Sequence, residues 1–141
     1  MKIAVLGTGI VGTTIASKLV ELNHEVMMGS RMKNNEKALA WVLKSGEHSS
    51  SGNYTDAAVF GEIIFNCTNG AGSLQALTEA DAANLKGKII IDVANPLDNT
   101  KGMPPSLFLS NTNSLGEEIQ RVFPESFVVK TLNTMWCGLM V

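Results

Sequence analysis

The chain opens MKIAVLGTGIVG over residues 1–12, and these twelve residues decide the fold. An apolar β-type run at residues 3–6 leads into Gly7, Gly9 and Gly12, spaced G-x-G-x-x-G, and a segment of helical pattern at 13–22 follows. A strand before the glycines and a helix after them separate this pattern from a chance glycine run. In that geometry the first glycine permits a tight strand-to-helix turn, the second lets backbone approach a pyrophosphate, and the third lets helix and strand pack closely. The free N–H groups of the helix start then face the anion.

The 141 residues are expected to form one domain, 1–141, large enough to bury a substantial core. Eleven Lys and Arg against 13 Asp and Glu give a formal charge of −2, and 45% of residues are hydrophobic. This balance, with no long charge block, argues against disorder and against a nucleic-acid surface, and points to a small-molecule partner. No apolar run approaches the ~20 residues of a membrane span, and the run at 3–6 is too short for a secretory core. A cytoplasmic location is expected. Cys67 and Cys137 fit no C-x-x-C pattern and read as free thiols of a reducing compartment. The triplets beginning at Asn53 and Asn66 match a glycosylation pattern only by chance where no secretion signal precedes them.

A second apolar run at 26–29 completes a β-α-β unit over residues 2–29 with parallel strands. Residues 34–44 place Ala38, Leu39, Trp41, Val42 and Leu43 among polar positions, as a helix packing one face on a sheet would. Residues 46–53, rich in Ser and Gly, form a loop or a weak edge strand. Thr55 or Asp56 can cap a short helix running through Phe60, and residues 62–67 carry Ile63, Ile64 and Phe65, a run suited to a strand buried on both faces. A helix over 73–85, a strand over 88–92, a helix over 113–123 and a sixth strand over 127–130 follow. The alternation predicts an α/β Rossmann fold: a doubly wound, mostly parallel six-stranded sheet with helices on both faces. The long irregular connection at 94–112 holds three of the four prolines and is expected to be functional.

In such sheets the ligand lies outside the carboxyl ends of the strands. That rule selects Gly29-Ser30-Arg31, Cys67-Thr68-Asn69-Gly70 and Val93-Ala94-Asn95-Pro96. No Walker pattern is present, because no Gly-Lys pair closes a phosphate loop after Gly12. Where an NAD site usually places Asp or Glu, about 20 residues past the glycines, this chain has Ser30 and Arg31. A carboxylate would repel a 2′-phosphate, whereas a hydroxyl and a guanidinium fork can donate to one, so the expected cofactor is NADP(H). Lys33 and Lys37 are nearby cations that could strengthen the field or be solvated surface lysines.

Four segments together, GTGIVG at 7–12, GSR at 29–31, DVANPL at 92–97 and VVKTLNT at 128–134, resemble the deazaflavin-dependent NADP reductases and their bacterial relatives. The dinucleotide domain of that family is also similar to those of pyrroline-5-carboxylate reductases and of the cytoplasmic part of metalloreductases. The resemblance spans essentially the whole chain. It implies an NADP-dependent oxidoreductase that moves a hydride between NADPH and a flavin, deazaflavin or other small acceptor, with the nicotinamide near the loops after strands four to six. It also implies that Thr8, Gly9, Ile10 and Val11 form the phosphate loop within the 7–12 motif, that Ser30 and Arg31 hold the 2′-phosphate, and that Thr68 and Asn69 run along the cofactor. Asn95 and Pro96 match the turn by the nicotinamide, beside the strand-end residue Ala94, and Asn133 falls in the segment after strand six. Cys67 is counted with the cofactor-lining residues, although its apolar flank favours a buried, inert thiol. Thr68, Asn95 and Asn133 have an alternative role as loop or capping groups, since Asn and Thr readily bond local backbone.

Family members usually continue past the sixth strand into helices that complete the acceptor site and often a dimer, whereas this chain stops at Val141. A shortened form, or a partner covering the end, is the expectation. The apolar stretch 135–141 is the expected surface for a homodimer or larger homo-oligomer. Hydride transfer asks mainly for positioning, so a proton-transfer residue is not obligatory. His24 and His48 read as surface histidines, and neither metal-ligand spacing nor a nucleophile–base pair appears. The rival reading is a sensing or regulatory module, or a fragment, that binds NADP(H) without turnover. A pyrroline-type imine reduction is set behind both, because those enzymes build their substrate site from later helices.

Overall fold

The computed structural model describes residues 1–100 and 102–141; Lys101, within the connection expected to be irregular, lies outside the described residues. In chain order the elements are β1 (Lys2–Leu6), α1 (Ile10–Glu21), β2 (Glu25–Ser30), α2 (Glu36–Ser45), β3 (Ser49–Asn53), α3 (Tyr54–Phe60), β4 (Ile63–Asn66), α4 (Gly70–Ala80), α5 (Ala82–Leu85), β5 (Ile89–Asp92), β6 (Leu97–Asp98), β7 (Ser106–Leu107), α6 (Leu115–Val122) and β8 (Phe127–Lys130). A 3₁₀ turn at Cys137–Leu139 follows. Six strands form one sheet in the order β3-β2-β1-β4-β5-β8, every neighbouring pair parallel. The order reverses between β1 and β4, and that reversal opens a crevice at their carboxyl ends.

Each face of the sheet carries its own core. On one, Ala4, Leu6, Ile64 and Ile90 meet Ala57 and Ala58 of α3, Leu77 of α4, Leu85 of α5 and Ile119 of α6. On the other, Val5, Val26 and Met28 meet Ile15 and Ala16 of α1 and Ala38 and Trp41 of α2. The Trp41 indole N–H donates to Ser17 Oγ at 3.1 Å, which ties α2 to α1. Each large side chain buried in this way contributes about 1.5–3 kcal/mol. Among the described residues no helix is long and apolar enough to cross a membrane.

The doubly wound expectation is met, and the serine-rich stretch forms β3, the edge strand. Four boundaries differ. The helix α1 starts at Ile10, because Gly12 sits inside the helix rather than before it. Asn53, not Thr55 or Asp56, caps α3: its side chain accepts from Asp56 N–H while the Asp56 carboxylate accepts from Asn53 N–H, a reciprocal capping box. The helix expected over 73–85 begins at Gly70, capped by Asn69, and breaks at Asp81, whose φ of 75° interrupts the helical path and whose side chain caps α5. Finally, the 94–112 connection contains the two-residue ladder β6–β7.

Candidate functional site

The three glycines of the opening loop differ in what requires them. Gly7 has φ +118°, a conformation L side chains rarely adopt, and a Cβ there would stand 2.6 Å from the Cys67 carbonyl oxygen. A Cβ on Gly12 would stand 2.2 Å from the Gly7 carbonyl oxygen. A Cβ on Gly9 would meet nothing within 4 Å. The fold itself therefore needs the first and third glycines, and the bare backbone at Gly9 borders open space. Directly after it α1 begins with no acidic residue in its first turn and no side-chain cap. The first N–H groups of a helix have no partner within it, and their dipoles favour an anion. An uncovered backbone beside uncapped N–H groups fits a pyrophosphate.

Two hollows meet at this loop. The larger, about 770 Å³, has Thr8, Gly9, Ile10 and Lys37 on its walls with Trp41. The smaller, about 310 Å³, lies between Gly9, Ile10 and Val11 on one side and Cys67, Thr68, Asn69, Ala94 and Asn95 on the other. Of the residues selected by strand-end position, 67–70 and 93–95 thus converge on one crevice, whereas Gly29, Ser30 and Arg31 lie outside both hollows. Pro96 and Asn133 line neither hollow. Asn133 instead props Asn95: Asn95 Nδ2 donates to the Asn133 carbonyl at 2.6 Å, and Asn133 Nδ2 donates to Asn95 Oδ1 at 3.1 Å. Asn69 caps α4 by accepting from Ala71 N–H at 3.1 Å. The carbonyl of Asn95 lies where a Cβ on Gly70 would be, 2.1 Å away, so the turn containing Pro96 can approach α4 only because residue 70 is glycine.

At the end of β2 the expectation for Ser30 needs correction. Its side chain is buried, and its hydroxyl donates to the Met32 carbonyl at 2.6 Å, so its one hydrogen shapes the turn instead of pointing to a ligand. Arg31 is exposed, with no carboxylate in ion-pair range among the described residues. It lies near Tyr54, whose phenol is pushed above its ordinary pKa by burial while the Arg31 guanidinium pulls it the other way. Lys33 is engaged elsewhere, 3.0 Å from Asp56, and its hydrogen bond, ahead of that from Asn53 N–H, holds the Asp56 carboxyl below its usual range. Lys37 remains exposed on the wall of the larger hollow.

Cys67 is buried, and burial first, with the negative Asp92 second, pushes its thiol up to about 12. It is a neutral packing group beneath the phosphate loop, not a nucleophile. The end of the chain is partly folded back: Cys137 is buried and Met140 packs on the α1/α2 core, while Trp136 and Leu139 stay 71% and 68% exposed.

Sequence reasoning missed a row of polar side chains beneath this crevice. Asn66, Asp92 and Lys130 end β4, β5 and β8 in register. Asn66 and Asp92 are fully buried. Asn66 Nδ2 donates to Asp92 Oδ1 at 2.8 Å and to Ser73 Oγ at 3.0 Å, and Lys130 Nζ donates to Asp92 Oδ2 at 2.8 Å. The available signal was positional: Asn66 and Asp92 each end a run of three apolar residues at an inward-facing position, where a polar group needs a partner.

A parallel sheet in this order, a glycine turn fitted to pyrophosphate at its switch point and loops converging from β4 and β5 together define a dinucleotide-binding α/β domain. The chain belongs to the family described as NADP oxidoreductase, coenzyme F420-dependent, which it matches over residues 2–96. It is similar to a protein of Arthrobacter sp. FB24 assigned as an F420-dependent NADP-reductase, with 50% identity and a TM-score of 0.92, over 100% of this chain and 66% of that one. It is 30% identical over 138 residues to metalloreductase STEAP3 of Rattus norvegicus, covering 95% of this chain and 25% of that protein. An imine reductase from Aspergillus terreus, 17% identical with a TM-score of 0.65 over 92% of this chain and 39% of that one, shares the fold. The chain thus spans less than two thirds of the length of each of these relatives.

Proposed function

We propose that this chain binds NADP(H) across the crevice and takes part in hydride transfer between NADPH and a flavin, deazaflavin or other small acceptor. The observation that carries the reading is the open backbone at Gly9 before the uncapped start of α1, with the free guanidinium of Arg31 beyond β2. The Arthrobacter protein's assignment as an F420-dependent NADP-reductase supports a deazaflavin among the acceptors. Pyrophosphate would lie over Gly9, Ile10 and Val11, the 2′-phosphate by Arg31 and Lys37, and the nicotinamide toward Thr68, Asn69 and Asn95. Bound NADPH would supply the hydride. The residues of the chain orient it and keep the crevice closed from below, where Cys67 and Val93 pack.

Absorbance at the NADPH band, followed with flavin, deazaflavin, quinone and ferric acceptors, tests the reaction. Oxidation with at least one flavin-type acceptor is expected. Tight NADPH binding without turnover across the panel would leave the binding-module reading in its place.

The proposal extends to a second copy of the chain covering the exposed Trp136 and Leu139. Sedimentation should show a mass that rises with concentration and drops to that of one chain in Trp136→Glu; one-chain mass at every concentration would refute it.

A further inference from the structure

The row Asn66–Asp92–Lys130 is more than a brace. A carboxylate only accepts hydrogen bonds, so Asp92 compels the Asn66 amide to turn its NH₂ toward β5. The amide oxygen of Asn66 therefore faces Thr68, and it accepts from Thr68 Oγ1 at 2.7 Å. That bond uses the only hydrogen Thr68 Oγ1 has. Ser73 Oγ, 2.9 Å from Thr68 Oγ1, spends its own hydrogen either on Thr68 Oγ1 or on the Asn69 carbonyl at 3.3 Å, and in neither case does Thr68 regain one. Thr68 is left with a lone pair and no hydrogen to offer the crevice it lines. Meanwhile Asp92 Oδ1 accepts from Ala94 N–H at 3.2 Å and Lys130 Nζ donates to the Ala94 carbonyl, so the peptides on either side of Ala94, the second leading into Asn95, are each held by one member of the pair.

We propose that Asp92 and Lys130 are positioning residues that fix, through Asn66, the direction of the Thr68 hydroxyl, so that the wall of the smaller hollow presents a hydrogen-bond acceptor to the nicotinamide half of the dinucleotide. The inference rests on the NADP(H) reading of the crevice and adds to it which part of the ligand the buried charge pair serves. A purely structural salt bridge would be indifferent to what Thr68 offers. This one sets the hydrogen-bond polarity of a side chain it does not touch, across three strands and a loop.

Calorimetric titration of the full chain with NADP⁺ and with adenosine 2′,5′-bisphosphate, which lacks the nicotinamide half, tests it. Asp92→Asn, nearly isosteric, lets the Asn66 amide turn either way; it should weaken NADP⁺ about tenfold, the size of one lost hydrogen bond, and leave the bisphosphate within about twofold. Thr68→Val should do the same, and Asp92→Asn added to Thr68→Val should weaken NADP⁺ no further, because the two act through one hydroxyl. If Asp92→Asn alone does not fold because it leaves the Lys130 cation unpaired, Asp92→Asn combined with Lys130→Met, the latter at a side chain 29% exposed, removes both charges and provides the same comparison. Equal loss of both ligands, or independent losses in the double variant, would overturn the positioning role while the NADP(H) reading stands. A wild-type protein that binds neither ligand would overturn both.

Discussion

Gly12→Ala should destabilise the fold by at least ~3 kcal/mol, whereas Gly9→Ala, three residues earlier, should leave stability almost unchanged and weaken nucleotide binding. A Cβ at position 12 would stand 2.2 Å from the Gly7 carbonyl oxygen and 3.1 Å from its carbon. Those are backbone atoms, fixed in turn by the Gly7 N–H donating to the Gly29 carbonyl at 2.9 Å, so no flexible side chain can move aside. The clash would push α1 away from β1 and open the core between Ile15, Ala16 and Val5. For a domain of this size a loss of that order is a large fraction of total stability and should lower Tm by roughly 6–12 °C. At Gly9 the added methyl meets no protein atom, and φ of −79° suits alanine, so only a slightly poorer helix cap is lost. The methyl would instead occupy the space over which the pyrophosphate should lie. Urea unfolding read beside NADPH titration separates the two variants. Loss of stability in Gly9→Ala, or undiminished nucleotide binding by it, would show that the open backbone there has no ligand to receive.

The opening turn was legible because its glycines obey steric rules that do not depend on the rest of the chain. The same holds for the sheet, whose apolar runs at Ile63–Asn66 and Ile89–Asp92 could only be strands covered on both sides. Ser30 was legible in place but not in role. Its position at the strand end follows from spacing, whereas the direction of its hydroxyl depends on the Met32 carbonyl, which only the folded turn brings within 2.6 Å. Gly70 and the Asn66–Asp92–Lys130 row were not legible for a related reason. Their partners lie 25 or more residues away in the sequence, and it is the registers β4·β5 and β5·β8 that align them. Local propensity carries no such long-range information, and caps show the same limit on a smaller scale: Asn53 and Asp56 were both eligible, and the reciprocal pair uses both.

Arg31→Ala is expected to weaken NADPH by about 1.5–3 kcal/mol, roughly 10- to 150-fold, with little change for NADH. The distribution of charges around β2 gives the reason. Lys33, two residues on, is paired with Asp56 at 3.0 Å, and Ser30 has directed its hydroxyl hydrogen into the turn. Of Ser30, Arg31 and Lys33, the guanidinium of Arg31 is left as the donor facing solvent beside the half-buried Tyr54. A planar fork binds two phosphate oxygens at once, so Arg31→Lys should recover only part of the loss, as a point charge cannot reproduce the bidentate contact. Because the site is exposed, the preference for NADPH over NADH should also narrow as ionic strength rises. Fluorescence titration of both cofactors with the wild type and the two variants measures all of this. Equal losses for NADPH and NADH in Arg31→Ala would mean that the guanidinium holds something the two cofactors share, the adenine or the pyrophosphate, and the 2′-phosphate would have to be sought closer to Lys37.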